Sequence, residues 1–176
     1  MSNRPVQSCG SSQTTPFRSA AIEFYNLFKS LHIIGVVLLL GNVIVTGLWK
    51  ALADRTRVSS TVAYAQRSVI LTDWIFTCGG IAFILIGGYT MAGSAHLSLL
   101  HTRWLFWGQV LFGLSAVIWL FVLLPVQAAQ SRLARRFAAD GEIPAAYWEL
   151  SRRWLRWGVL ATVPLVIIVC LMVLKT

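Results

Sequence analysis

Residues 31–49 read LHIIGVVLLLGNVIVTGLW, an apolar stretch without a charged side chain. Three similar runs follow, from Val69 to Ala92, from Trp104 to Val126 and from Trp157 to Leu174, and Asp73 is the one charged residue within them. A helix needs about 20 apolar residues to cross about 30 Å of hydrocarbon, because it rises about 1.5 Å per residue. The four runs therefore predict an all-α protein, an antiparallel bundle of four transmembrane helices.

The composition supports a membrane protein and excludes a soluble domain. Hydrophobic residues make up 57 % of the 176 residues and charged residues 12 %, against about 25 % charged in soluble domains. The formal net charge is +9, but the arginines lie between the apolar runs, where a lipid surface explains them. We therefore expect the lipid bilayer, and no nucleic acid, as the partner of the basic residues.

The basic residues also predict the orientation of the bundle. Two of the three loops between the runs are rich in basic residues, and they carry Lys50, Arg55, Arg57, Arg67, Arg132, Arg135, Arg136, Arg152, Arg153 and Arg156. Because such loops stay in the cytoplasm, we expect a multi-pass protein of the bacterial inner membrane with both termini in the periplasm.

The chain divides into a tail and one domain. Residues 1–20 are rich in Ser, Thr, Gln and Pro, which predicts a disordered tail, and residues 21–176 form the four-helix domain, with its first helix beginning near Ile22 or Tyr25. Residues 127–139 lack helix breakers, residues 140–142 read as a turn, and Pro144 suits the start of a helix. The third and fourth helices are therefore predicted to extend into the cytoplasm.

His32 is the most informative single residue. It lies about one turn inside the outer interface, where an ionisable group is costly and is expected to face the bundle interior. At about 100° per residue, the small or polar residues Gly35, Asn42 and Thr46, together with Leu39, lie on the same face of the first helix. The second helix carries a matching face, which contains Asp73, Thr77, Gly80, Ile84, Gly87 and Met91.

A histidine opposite a glycine-rich helix is an arrangement that can hold haem, with the imidazole on iron and the porphyrin against small side chains. Haem b bound through His32 and lying against Gly35 is therefore one hypothesis. Lys29 and Arg103 would bind the propionates, and His96 or His101 would be the second axial ligand. The alternative is a structural or accessory subunit without a cofactor, because glycine faces and a lone histidine also occur in plain helix packing.

Two further polar residues lie within the predicted spans. Asp73 is close to the predicted cytoplasmic end, and we expect an ion pair with Lys50 or Arg67, with a proton relay as the functional alternative. Gln109 is expected to form hydrogen bonds inside the bundle.

Several short motifs resemble known membrane families. The opening Lys29-Ser30-Leu31-His32-Ile33-Ile34 and the ending Met172-Val173-Leu174-Lys175 are similar to those of HemJ-type protoporphyrinogen oxidases and, more distantly, of CopD-type membrane proteins. The pair Asp73-Trp74 in the second span adds a closer resemblance to a bacterial family of predicted integral membrane proteins with four spans.

The HemJ resemblance implies that His32 is a ligand of haem b and that the protein acts in electron transfer or haem handling. A membrane oxidoreductase is one form of this function, and a membrane redox protein or a second copy of the chain would be its partner. The HemJ type has a lysine early in its third span, after a Trp-Leu pair, whereas Phe106-Trp107-Gly108 follows Trp104-Leu105 here. A HemJ-like oxidase therefore stays an alternative.

Overall fold

The computed structural model describes residues 16–175 and contains four long helices in this range. We label the helices α1 to α4. Two of them contain a π-helical turn, in which the hydrogen bonds span five residues instead of four. The helices and their segments are α1 (Pro16–Thr56), α2 (Ser59–Thr72, the π turn Asp73–Thr77 and Cys78–Ser94), α3 (Arg103–Ile118, the π turn Trp119–Leu123 and Leu124–Asp140) and α4 (Ala145–Leu174).

The predicted all-α class and the four spans are confirmed, because each helix contains a window long and apolar enough to cross a membrane. The 41 residues of α1 correspond to about 60 Å, roughly twice the hydrocarbon thickness. One predicted boundary differs. The first helix begins at Pro16, so residues 16–20 belong to α1 and not to a tail, while residues 1–15 of that predicted tail lie outside the described residues.

The predicted helical extension after residue 126 is present, since α3 continues to Asp140. The predicted turn follows at Gly141, which has a φ of +79° and whose amide N–H donates to the carbonyl of Phe137. A left-handed residue with this bond ends a helix, and glycine adopts it without steric cost. We call the end of the bundle that contains this turn and the α1–α2 turn the basic end, and the other end, where α2 joins α3, the histidine end.

The four helices pack as two pairs, α1 with α2 and α3 with α4. The pairs meet at the basic end, where Val62, Phe137 and Tyr147 are almost fully buried. At the histidine end they separate, and no Cα atom of the segment Cys78–Ser94 comes within 8 Å of the segment Arg103–Ile118. The fold therefore has a closed interior at the basic end and an open one at the histidine end.

Candidate functional site

The His32 side chain lies between α1 and α2, near the histidine end. Its Nδ1 atom is 2.9 Å from the backbone carbonyl oxygen of Ile84. A carbonyl only accepts hydrogen bonds, so Nδ1 is the donor in this contact, and in the neutral form of the ring Nε2 then has the lone pair. Metal-bound histidines commonly donate their other ring N–H to a backbone carbonyl in this way. One ring nitrogen of His32 is therefore engaged by the backbone of α2.

Glycines on α2 make room for this ring. A Cβ atom added at Gly88 would lie 3.2 Å from Nδ1 of His32, and one added at Gly87 would lie 2.8 Å from its Cβ. About one turn further along α1, a Cβ at Gly35 would lie 2.8 Å from the carbonyl oxygen of Gly80. The predicted contact between the two small-residue faces is thus confirmed, and it brings the backbones of α1 and α2 close together.

A cavity of about 510 Å³ opens beside His32, where the two helix pairs separate. All four helices line it, and Gly88, Gly108, Met172 and many aliphatic side chains form its wall. The hydroxyl of Tyr89 donates to Oε1 of Gln109. Nε2 of Gln109 donates to the backbone carbonyls of Leu99 and Leu105. The cavity is therefore an apolar space of ligand size with few polar groups at its edge, and Gln109 bonds internally as predicted.

The other predicted site residues are not in this cavity. Lys29, Arg103, His96 and His101 are exposed and do not line it, although all four lie toward the histidine end. His96 has a φ of +51°, and the amides of His96 and Leu97 donate to the carbonyls of Gly93 and Ala92. These two bonds form the motif that normally ends a helix with glycine, so His96 has a local structural role.

Asp73 lies at the start of the π turn of α2 and is buried among neutral donors. Its carboxyl group accepts hydrogen bonds from Nδ2 of Asn42 at 2.8 Å, Nε2 of Gln127 at 2.6 Å and Oγ1 of Thr77 at 3.3 Å. The predicted ion pair of Asp73 with Lys50 or Arg67 is wrong. Three helices supply the donors, and Lys50 is engaged elsewhere.

Lys50 forms a second polar cluster, closer to the basic end. The residue is 1 % exposed, and Nζ lies 3.1 Å from Oδ2 of Asp54, 2.9 Å from the hydroxyl of Tyr147 and 3.4 Å from Oγ of Ser151. The hydroxyls of Tyr147 and Ser151 also donate to Asp54, which ties α1 to the beginning of α4. The ammonium group is 5.7 Å from the centre of the Trp154 ring.

The Lys50 cluster is not among the features predicted from the sequence, although one signal for it was present. Asn42, Thr46, Lys50 and Asp54 recur at every fourth residue of α1, and this spacing places them on one face. Tyr147 and Ser151, the partners of Lys50 and Asp54 on α4, are about 100 positions away in the sequence. The pairing itself therefore depends on the tertiary fold. In the described part of the chain, no three His, Cys, Asp or Glu side chains lie together as a metal site.

Comparison with known proteins gives a family but no characterised relative. No curated protein and no solved structure matches this chain. One family model, described as "Predicted integral membrane protein (DUF2269)", matches residues 26–176, which include all of the fold from the first turns of α1 onward. Because the family model matches most of the length of the chain, the chain belongs to this family of predicted integral membrane proteins, and its four candidate spans agree with that description.

Proposed function

We propose that this protein binds haem b through His32 and acts in electron transfer or haem handling. The observation that carries the proposal is the His32 ring, with Nδ1 fixed by the carbonyl of Ile84 and a free Nε2, at the edge of a 510 Å³ apolar cavity. Gly88 lets the ring pack against α2, because a Cβ atom there would lie 3.2 Å from Nδ1, and the room for a flat apolar group is the adjoining cavity. The imidazole and this apolar lining fit such a group with an iron atom.

The chain offers residues for each contact that haem needs. His32 would be the axial ligand, and Lys29 or Arg103, both exposed at the histidine end, would pair with the propionates. Met172 lines the cavity and has a thioether, a common second ligand, whereas His96 and His101 would have to reach in from the loop. Haem iron, when bound, supplies a one-electron redox couple.

An absorption spectrum of the purified protein tests the proposal. The protein would be expressed in haem-supplemented cells and purified in detergent, and we expect a Soret band that His32→Ala abolishes. Tyr64→Ala, which truncates an exposed ring at the basic end, is the control and should keep the band. A colourless, helical wild-type protein, or an unchanged band in His32→Ala, would contradict the proposal. Met172→Ala, His96→Gly and His101→Ala then identify the second ligand from the position of the band.

The second candidate is an accessory subunit without a cofactor. The bond from His32 to Ile84 and the packing against Gly87 also hold α1 and α2 together without any ligand, which favours this alternative. A colourless protein that co-purifies with a membrane complex would support it. A HemJ-like oxidase is tested on the same preparation by assaying protoporphyrinogen oxidation.

We further propose that the protein lies in a bacterial inner membrane with its basic end in the cytoplasm. The support is the larger number of arginines in the two loops at the basic end. The loop at the histidine end, between the second and third apolar runs, contributes Arg103. A single cysteine introduced at Ser98, with the native cysteines replaced by serine, should react with a membrane-impermeant maleimide added to intact spheroplasts. Labelling of Ser59→Cys instead would reverse the orientation.

A further inference from the structure

We propose that the polar interior at the basic end is a hydrated path that carries protons from that end to Asp73. The path consists of the Lys50 cluster, a middle section around Gln66 and Gln130, and the cluster around Asp73. It stands on contacts that do not involve His32 or its cavity, so it does not depend on the haem proposal.

The face of α1 gives the path its length. Asn42, Thr46, Lys50 and Asp54 follow one another at intervals of four residues, and the first three are at most 9 % exposed. Twelve residues of helix correspond to about 18 Å. The Asp54 side chain, at 14 % exposed, reaches solvent and forms the entrance. A polar face of this length, buried inside a membrane protein, is a functional arrangement by default.

The middle section contains side chains that the protein leaves without partners. Gln66 on α2 and Gln130 on α3 are both 0 % exposed, and among residues 16–175 neither the nitrogen nor the oxygen of either amide has a hydrogen-bond partner. The indole nitrogen of Trp154 also lacks a partner in this range. A buried polar group without a partner costs about 1–3 kcal/mol, and native proteins normally satisfy such groups with buried water. Five unpaired polar atoms on three helices therefore indicate ordered water inside the bundle.

Trp154 connects the two clusters. Its ring lies 5.7 Å from Nζ of Lys50, and it also lines a cavity of about 550 Å³ together with Thr46, Asp73 and Gln127. Trp154 thus lies near the Lys50 cluster and lines the same cavity as Asp73. In the proposed path, water beside this ring joins the two clusters.

The chemistry of the path suits a proton and not a metal cation. Asn42, Thr77 and Gln127 turn N–H and O–H groups toward Asp73, which occupies the carboxylate oxygens that a cation would need. Water and hydroxyl groups pass a proton by exchanging hydrogen bonds, the amides of Gln66 and Gln130 hold the water in place, and the Asp73 carboxylate accepts the proton by forming a carboxylic acid. No co-reactant is needed for this transfer.

Infrared spectroscopy of the protein in lipid vesicles tests the path. At acid pH the protonated Asp73 gives a carboxyl C=O band, which is assigned by its loss in Asp73→Asn, and transfer to acidic D₂O shifts the band as the proton exchanges. We expect exchange within the mixing time in the wild type, and exchange at least tenfold slower in Gln66→Leu/Gln130→Leu. Leucine has a volume close to that of glutamine and removes amides that have no protein partner, so the fold should be retained.

Gln109→Leu is the matched control, because it removes a glutamine at the histidine end, and its exchange should equal that of the wild type. If the double variant fails to fold, the single variants Gln66→Leu and Gln130→Leu are each expected to slow the exchange. Exchange as fast as in the wild type in a folded variant would overturn the proposal. The absence of any Asp73-dependent carboxyl band at acid pH would do the same, since the carboxylate would then be unreachable.

Discussion

Replacing Gly35 by alanine tests the close crossing of α1 and α2. A Cβ atom at this position would lie 2.8 Å from the carbonyl oxygen of Gly80 and 2.8 Å from the amide nitrogen of Ile84. Both are backbone atoms of α2, so the clash is relieved only when the two helices move apart. Overpacking of this kind costs about 1–3 kcal/mol, and the better helix propensity of alanine offsets about 0.5–1 kcal/mol. We expect a net loss of stability of about 1–2 kcal/mol.

Gly41→Ala is the matched control on the same helix, because nothing lies within 4 Å of the added Cβ atom. It should leave stability unchanged or raise it by up to about 1 kcal/mol. Unfolding in detergent micelles by titration with sodium dodecyl sulfate, followed by circular dichroism, measures both free energies. Equal stabilities of Gly35→Ala and Gly41→Ala would refute the close approach of the two backbones and, with it, the position of the His32 ring against α2.

Three further substitutions are tested by the same unfolding titration. Gln127→Leu removes the 2.6 Å hydrogen bond to the buried carboxyl group of Asp73 and should destabilise the protein by about 1–3 kcal/mol; no change would mean that the bond is absent. Tyr147→Phe removes the hydroxyl that bonds the buried ammonium group and should cost about 1–3 kcal/mol, whereas Tyr64→Phe, at a residue 74 % exposed, should cost less than about 0.5 kcal/mol. His96→Gly relieves a φ of +51° and should stabilise by about 0.5–1 kcal/mol, a gain that His96→Ala, which keeps the strain, should not show.

The spans and their contact faces could be predicted from the sequence because they depend on local periodicity. The apolar runs are long, and the small residues of α1 and α2 recur at helical spacing, so the faces on which Gly35, His32, Gly80 and Gly87 lie follow from counting residues, whereas the pairs that touch across the two faces are given by the structure. The start of α1 at Pro16 could not be predicted in this way, because polar residues beyond a span give no periodic signal.

The partners of the buried polar groups could not be predicted, since they come from segments far apart in the sequence. The ion-pair prediction for Asp73 assumed that a charge in a membrane needs an opposite charge. Instead, neutral donors from Asn42, Thr77 and Gln127 surround it, and they come from three different helices. Lys50 meets Tyr147 across 97 positions of sequence, a contact that only the packed bundle creates.

The π turn Asp73–Thr77 also decides where the length of α2 can change. Because such a turn holds one residue more than an α turn, it takes up the extra residue without changing the direction in which the residues beyond it face. Deleting one residue inside the turn would therefore restore ordinary α geometry and keep Gly80 and Gly87 against α1. Deleting one residue of the α-helical segment between the turn and Gly87 would instead rotate Gly87 away from α1 by about 100°, so this turn is the place in α2 where the length can change by one residue while the contact face is kept.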